Sequence, residues 1–518
     1  MSRINTNVQS LIAQRVLGQN NGQLNKSLER LSTGLRINRG ADDPAGLIAS
    51  ENLRAEKSAT GAAIANASRA EQVVNIAEGG LQEIAGLLNE VQGLVTATAN
   101  DAGLSLDEKQ ANQLQIDSML QTIDRLSNST SFQGTKLLNG TFDFRTSSIA
   151  SELNGFKVNG AKLRFGGKLD VDVLVTQSAQ QAGFFVSFGG AQIDLGSAET
   201  FVFEVAGALG SRQLSFASGT ALSAIADSIN TFKEVTGVSA LASGGGILIK
   251  SLKFGSDEFV RVKVVDDGKI TGTGIGVFSL SSQNANAVDV ASLETFTATP
   301  VQNGLTDKGQ DVGATINGVV AVSDGTKASI NTDFLSVEVD LVASGGVNPD
   351  AITLGKINAF TITGGGADFQ LAPQVDIAGK VNIGIGNVAA RNIGKTTSND
   401  PITGSAFNVN LSDLAGGKRL NVVGGDLVAA QVSVESAITE VSILRGRLGA
   451  FQKNIIGATI RSLGVSLENT TAAESAIRDT DFASETAQLT RTQVLVASTT
   501  NVLGIANNQP QTVLQLLG

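Results

Sequence analysis

The sequence predicts a chain that is mainly α at both ends, with terminal helices pairing as coiled coils around a central β-rich or α+β insert. Three observations carry this. Composition changes twice: residues 1–130 and those from about 420 onward are rich in Ala, Leu, Asn, Gln and Glu, while about 140–410 is dense in Gly, Val, Thr, Ser and Phe. Near the C-terminus Leu427, Val434, Val441, Leu448 and Ile455 are seven apart, and Ala430, Ala437, Leu444, Phe451 and Ala458 repeat the spacing three residues later. In the middle, apolar residues alternate with polar ones, the period of a half-buried strand.

At the N-terminus, Leu17, Leu24 and Leu31 are seven apart, with Leu28 and Leu35 at the alternate positions and Asn21 as a polar break. This is the a/d seam of a coiled coil. A second helix, about Pro44 to Ala99, carries Val73, Ala77, Leu81, Ile84, Leu88, Val91 and Val95, and a third is expected over about 105–128. At the other end the heptad from Leu427 to Ile455 predicts a long helix, followed by one in which Phe482, Leu489, Val496 and Leu503 are again seven apart. Proline lacks the N–H that would continue a helix, so this last helix is expected to stop near Asn507–Pro510. Full burial of a Leu or Val side chain contributes roughly 1.5–3 kcal/mol. A lone hairpin cannot bury stripes at both ends of a chain, so either the ends pair or copies assemble, or both.

In the insert, "KLDVDVLV" (168–175), "FVSFGG" (185–190), "FVRVKVV" (259–265) and "FLSVEVDL" (334–341) alternate as strands, and "ALSAIADSINTF" (221–232) reads as a short helix. One or two small domains are expected.

The bulk numbers exclude much. The chain has 518 residues, a net charge of −10, and no Cys, His, Trp or Tyr; Phe supplies all 22 aromatics. Without Cys or His there is no thiolate, disulfide, catalytic triad or HExxH zinc site. The acidic balance opposes nucleic-acid binding, which needs a basic face. No run of 18 apolar residues is present, so no membrane insertion is expected, and "MSRINTNVQSLIAQRVLGQ" lacks the apolar core of a signal peptide. Mean hydropathy is +0.12 with 17% charged residues, an apolar surplus that must be covered somewhere.

Three stretches could carry chemistry. "ARNIGKT" (390–396, preceded by Ala389) resembles a relaxed phosphate loop, but turn residues follow where a helix is needed. "VDDGKITGTGIG" (265–276) lacks the alternating oxygen ligands of a calcium loop. "GLRINRGADDPAGLIASENLRAE" (34–56) holds adjacent Asp42 and Asp43 before Pro44. Asp at an N-cap followed by Pro at the first helical position is a helix start, and carboxylates suit the N-terminal dipole. Gly34 and Gly40 bracket an extended segment with Arg36 and Asn38. A capped joint between helices is therefore favoured over an acid pair. No cofactor and no catalysis are expected.

The residues also carry a resemblance. "INTNVQSL", "LERLSTGLRINRGADDPAGLIAS" (28–50), "GGLQEI" (79–84), "SFQGTKLLNG" (131–140) and the run from "SAIRDTDFASE" to "VLQLLG" resemble bacterial flagellin, over about 1–145 and 420–518. "ALSAIADSINTF" and "DVGATINGVVAVSDGTKASI" (311–330) resemble small repeats of flagellin inserts.

The resemblance implies an elongated, multi-layer subunit that self-assembles into the flagellar filament, the helical propeller for swimming. It implies extracellular location after export, unfolded, through the flagellum's own type III apparatus. Implied partners are further copies of itself, an export chaperone, the filament cap and the hook-filament junction proteins. The layers fall at 1–42 and 475–518 (inner layer), 43–176 and 412–474 (outer tube), and 177–411 (variable surface domains). Leu17, Leu24, Leu28, Leu31, Leu35, Phe482, Leu489, Val496 and Leu503 would form the inner coiled coil. Val73, Leu81, Ile84, Leu88, Val91, Val95, Leu427, Val434, Val441, Leu444, Leu448, Phe451 and Ile455 would form the tube core. Gly34, Arg36, Asn38, Asp42, Asp43 and Pro44 would form the interlayer joint. In many flagellins the stretch matching 89–96 is an arginine-rich surface read by a vertebrate toll-like receptor; here Glu90 stands where arginine is common, while Leu94 remains, which implies weak recognition. The zinc peptidase of some flagellin inserts is excluded by the lack of His. A junction protein, or a flagellin whose insert is an adhesin, are the competing readings.

Overall fold

The computed structural model describes residues 6–100, 102–164, 166–196, 199–270, 272–281, 284–342, 352, 354–399 and 406–517. It divides into two compact units: Met1–Asn75 with Phe369–Lys380 and Gly446–Gly518, and Ile76–Asp368 with Val381–Arg445. Helices α1 (Val8–Thr33), α2 (Pro44–Thr98) and α3 (Leu106–Ser129) open the chain. Helix α4 (Leu222–Thr231) lies in the insert, and α5 (Leu427–Ala450), α6 (Gly457–Arg478) and α7 (Phe482–Leu517) close the chain.

The ends of these helices follow from local chemistry. Asn7 caps α1, its Oδ1 accepting the Ser10 N–H at 3.0 Å. Gly34 ends it in the left-handed conformation (φ 74), where a Cβ would be strained. Ser105 and Glu108 form a reciprocal capping box on α3.

In the second unit, α2, α3 and α5 share a core. The stripe on α2 is an unbroken heptad: Thr60, Ala63, Ala67, Ala70, Val74, Ala77, Leu81, Ile84, Leu88, Val91, Val95 and Thr98 are all buried, the first five of them lying in the first unit. On α5 the buried stripe is Ala430, Val434, Ala437, Val441, Leu444 and Leu448, with Leu427 half-buried at its start. Arg445 Nε donates to Glu78 Oε1 at 2.8 Å beside this core. By length and composition, the run Leu427–Arg478 could cross a bilayer, which the absence of a long apolar run did not anticipate. Its apolar stripe is occupied in helix packing instead.

The insert is two β-sandwiches, one nested in the other. The inner sandwich pairs a five-stranded sheet, ordered Asn284–Val288, Gly276–Ser281, Gly183–Ser187, Gly246–Ser251, Val238–Ser243, with a four-stranded sheet, ordered Leu305–Lys308, Phe259–Asp266, Thr200–Gly207, Gly210–Ala217. Helix α4 packs on it, and Phe188, Phe201, Phe203, Phe216 and Phe296 fill its core. The outer sandwich has a five-stranded sheet, Val319–Val320, Gly313–Ile316, Leu169–Gln177, Gly355–Gly365, Phe144–Ser147, and a four-stranded one, Val322–Asp324, Lys327–Asn331, Leu335–Leu341, Leu153–Ala161.

Two expected boundaries move. A cut at 176/177 would remove the end of Leu169–Gln177, which pairs with both Gly313–Ile316 and Gly355–Gly365. Strands from Phe144 onward therefore belong to the sandwich. Nor does the sandwich region run to 411. Residues 384–399 and 406–426 form an irregular strap along the helices, where Ala390 N–H donates to Asp124 Oδ1 at 2.8 Å, Gln113 Nε2 to the Leu414 carbonyl at 2.8 Å, and Ser433 Oγ to the Gly394 carbonyl at 2.7 Å. Alternation marks strands, but it cannot say which sheet a strand joins.

Candidate functional site: the terminal helix pair and its joint

The joint forms where two linkers cross. Leu35 bridges Asp479, Arg36 N–H donates to the Arg478 carbonyl at 2.7 Å, and Thr480 N–H to the Gly34 carbonyl at 2.9 Å. The Arg36 guanidinium adds bonds to the Ile477 carbonyl from Nε (3.1 Å) and Nη2 (2.5 Å). Asp43 Oδ1 accepts the Gly46 N–H at 2.9 Å and so caps α2 at Pro44. Asp42 faces the other way. Its Oδ2 accepts the N–H groups of Asn38 (3.3 Å) and Arg39 (3.0 Å), and its Oδ1 pairs with Lys26 of α1 at 3.0 Å. The Lys26 ammonium, helped by the Arg39 N–H, holds the Asp42 carboxyl below its ordinary value. Asn38 Nδ2 donates to the Leu35 carbonyl at 3.0 Å. Ile37, which the sequence reading passed over, is the buried anchor of the segment. The two carboxylates thus serve different helices, an arrangement for geometry and not for shared proton chemistry.

α1 and α7 pair antiparallel: Asn7 meets Ala506 and Arg30 meets Glu485. The seam differs from the expected one. Leu17, Leu24 and Leu31 are half-buried on α1, as are Leu489, Val496 and Leu503 on α7. The alternate positions hold Ala13, Asn20 and Ser27 opposite Thr492, Thr499 and Ala506, with Asn20 Nδ2 reaching Thr499 Oγ1 at 3.4 Å. Leu28 is 47% exposed and Phe482 55% exposed, so neither lies in this seam. Asn21 is exposed, and its neighbour Asn20 is the buried polar residue. Leu35 lies beyond the helix, in the joint. The reason is packing: small residues at the alternate positions of both helices let the backbones approach, and leucine at all seam positions would hold them apart.

α7 also runs on through Pro510 to Leu517, against the expected stop. A proline inside a helix leaves the carbonyl four residues earlier without its donor. That carbonyl is Ala506, and Asn7 Nδ2 donates to it at 2.6 Å. The cap of one helix thus supplies the bond that the proline removes from the other.

The apolar stripe that runs on from α5 also departs from expectation at one residue. Phe451–Ile456 is a single π-helical turn, in which Gly457 N–H reaches the Gln452 carbonyl five residues back. The wide turn inserts one residue, so the stripe steps from Phe451 to Ile456, which is 0% exposed, while Ile455 is 39% exposed. Beyond it the heptad resumes one residue out of phase, through half-buried Ile460, Leu463 and Leu467 to buried Thr470.

The remaining candidates are structural. In the strap, Gly394 (φ 66) lies so close to α5 that a Cβ would sit 2.5 Å from the Ser433 carbonyl. In the Asp266–Asp267 turn each carboxylate accepts a local N–H, from Gly268 and Lys269; Thr271 of this stretch, like 400–405 between the two parts of the strap, is outside the described residues. A polar cleft of about 510 Å³ lies at the sandwich junction, among Gln177, Gln181, Asp307 and Asp311. Burial pushes the Asp307 carboxyl up, against the Gly183 and Lys308 N–H groups. Among the described residues there is no acidic cluster that could hold a metal. Glu90 is exposed on α2 and Leu94 half-buried.

Most informative is what stays uncovered. Val8, Leu11 and Ile12 on α1, Val428, Val432 and Ile443 on α5, Val465 on α6, and Val494, Val502 and Ile505 on α7 are all exposed. Such repeated apolar exposure marks an interaction surface.

Comparison with known proteins agrees. The "Bacterial flagellin N-terminal helical region" matches residues 4–143, the "Bacterial flagellin C-terminal helical region" residues 432–517, and the "Flagellin hook IN motif" residues 200–253, within the inner sandwich. The B-type flagellin of Pseudomonas aeruginosa is 30% identical, covering 99% of this chain and 99% of that protein. Flagellin B and flagellin A of Helicobacter pylori are 26% and 27% identical, again over 99% of both chains.

Proposed function

The chain belongs to the bacterial flagellin family, non-catalytic subunits of the extracellular filament for swimming, and on that premise we propose how its parts divide the work. α1 and α7 form the inner layer. α2, α3, α5 and α6, with the strap, 384–399 and 406–426, form the outer tube. The nested sandwiches, 144–365, form the projecting part. The observation that carries this is the second apolar face on α1 and α7. Their mutual seam is made of half-buried Leu and Val and small polar residues, so it recovers only part of the roughly 1.5–3 kcal/mol per large side chain that full burial gives. Neighbouring copies must supply the rest.

Copies joined head to tail grow without closing into a ring. Such a polymer leaves an unpaired face at each end, which supports a cap protein at one end and junction proteins at the other. The uncovered stripe on α7 supports a chaperone before export, and export unfolded through the type III apparatus suits a chain without Cys. Removing Phe482 onward should abolish polymerisation while leaving the sandwiches folded, read by pelleting and electron microscopy. Filaments of normal length from that truncation would overturn the two-ended arrangement.

A further inference from the structure

The polar cleft of about 510 Å³ at the sandwich junction has walls from both sandwiches: Gln177 and Asp311 from the outer one, Gln181, Leu280 and Asp307 from the inner one, and Gln310 at the rung between them. The joint beside it is backbone lying on backbone. Asp311 Oδ1 accepts the N–H groups of Ser256 (3.0 Å) and Gly325 (2.8 Å), and its Oδ2 accepts the Ser256 hydroxyl at 2.5 Å. A Cβ on Gly325 would sit 2.8 Å from the Phe254 carbonyl, and one on Gly255 would sit 3.1 Å from the Gly325 Cα, so the close approach requires glycine on both sides. With Phe254 packed on the outer core, the joint holds the two walls in place, and the cleft keeps its shape without a ligand.

The lining selects among ligands. Gln181 and Gln310 are each held by Nε2, to the Ser251 and Ser178 carbonyls, both at 2.8 Å. Each therefore presents an Oε1 that accepts from no other described residue. The Gln177 amide has no partner among the described residues and brings both a donor and an acceptor. Lys308, exposed at the rim, brings a donor with no ion pair among them. Asp307 is half-buried, and its Oδ2 is oriented by the Gly183 N–H at 2.8 Å. An apolar ligand would strand these groups. An anion would meet two carboxylates, and a compact cation would leave Lys308 and the Gln177 amide donor facing it. A hydroxyl both donates and accepts, so several hydroxyls on one ring match the mixed lining. The volume lies within the roughly 300–1,000 Å³ of small-ligand sites.

We propose that this cleft binds a short neutral saccharide, with Gln177, Gln181, Gln310 and Asp307 bonding ring hydroxyls and Leu280 lying against the C–H face of a ring. This is a binding activity in addition to self-assembly. A polymer repeats the cleft once per subunit, and linked weak sites raise overall attachment by ~10²–10⁴-fold. That repetition rests on the projecting-part reading above; the cleft itself does not.

The test is saturation-transfer NMR on the purified full-length chain, with lactose, maltose, trehalose and N-acetylglucosamine as neutral probes and spermidine as a cationic one. At least one sugar should show transfer. Gln177→Trp, at an exposed strand end, fills the cleft and should abolish the signal. Asp307→Asn keeps an acceptor for the Gly183 N–H and should weaken binding about tenfold. Gln374→Trp, exposed and outside the cleft, should bind as the wild type does. Unchanged melting temperatures show that the variants fold. Transfer to none of the sugars, transfer to spermidine alone, or sugar binding that survives Gln177→Trp overturns the proposal. Sugar binding by the single chain that is lost in filaments would instead refute the projecting-part reading.

Discussion

Asn7 is the most economical place to test the terminal pair, because one side chain performs two tasks. Its Oδ1 caps α1 and its Nδ2 satisfies the Ala506 carbonyl freed by Pro510. Asn7→Ser keeps a comparable cap but cannot reach the carbonyl. Leaving a part-buried carbonyl without a partner costs about 1–2 kcal/mol. Asn7→Ala also loses the cap, for about 1 kcal/mol more. Pro510→Ala restores the missing N–H, so the Ala506 carbonyl is satisfied within α7 and the Asn7 amide becomes dispensable. In that background Asn7→Ser should cost only a few tenths of a kcal/mol, a coupling of about 1 kcal/mol. The assay is urea-induced dissociation and unfolding of filaments, compared at equal subunit concentration because association contributes to apparent stability. Equal costs for Asn7→Ser with and without Pro510→Ala would refute the reasoning.

Five further outcomes are expected. Gly46→Ala puts a Cβ 2.5 Å from Asp43 Oδ2 and 2.7 Å from Ile37 Cδ1, so it should cost about 1–3 kcal/mol and deform filaments. Gly61→Ala, with open space around it, should be neutral or stabilising by thermal melting. Lys or Asp at Val441 or Leu448, both buried, places an unpaired charge in the helix core, and thermal melting should show a loss of about 3 kcal/mol or more. Burial raises the Glu440 carboxyl above its ordinary 4.5, against Lys157 and the Gly394 N–H. The folded state therefore binds the proton more tightly, and stability falls as pH rises from 4.5 through the raised value. Glu440→Gln should accordingly stabilise at pH 7 and change nothing below 4.5, read as melting temperature against pH. Finally, with Glu90 exposed on α2, recognition by the vertebrate flagellin receptor should be weak in a reporter-cell assay, and potency equal to a standard activating flagellin would reject this.

The sequence was most readable where one residue type had one role. The heptad from Leu427 to Leu448, the N-cap at Asp43 and the alternation in "FVRVKVV" each match an observed element. It was least readable where two residues could fill one role. Ile455 and Ile456 are adjacent isoleucines, so the one-residue slip at the wide turn leaves no trace in an apolar pattern. Leu28 is apolar and correctly spaced, yet it faces outward because Ala13, Asn20 and Ser27 occupy the close-approach positions. Pro510 is a helix stopper by local chemistry, and its compensating donor lies 503 positions earlier in the chain, at Asn7. Sheet membership, which moved the boundary from 177 to Phe144, depends on long-range pairing that alternation does not encode.

The nesting of the sandwiches has a consequence for engineering. The inner sandwich enters and leaves through two antiparallel strands of chain joined at one rung, Gln180 N–H to the Gln310 carbonyl at 2.8 Å and Gln310 N–H to the Gln180 carbonyl at 2.9 Å. Besides that rung, the inner sandwich touches the outer one through a single turn, where Ser256 N–H donates to Asp311 Oδ1 at 3.0 Å and Phe254 packs on the outer core. A foreign module whose own termini lie side by side could be spliced there, and an existing one excised, without rewriting a strand of the outer sandwich. The inner sandwich is therefore a socket: cargo could be changed there while the strands of the outer sandwich keep their register.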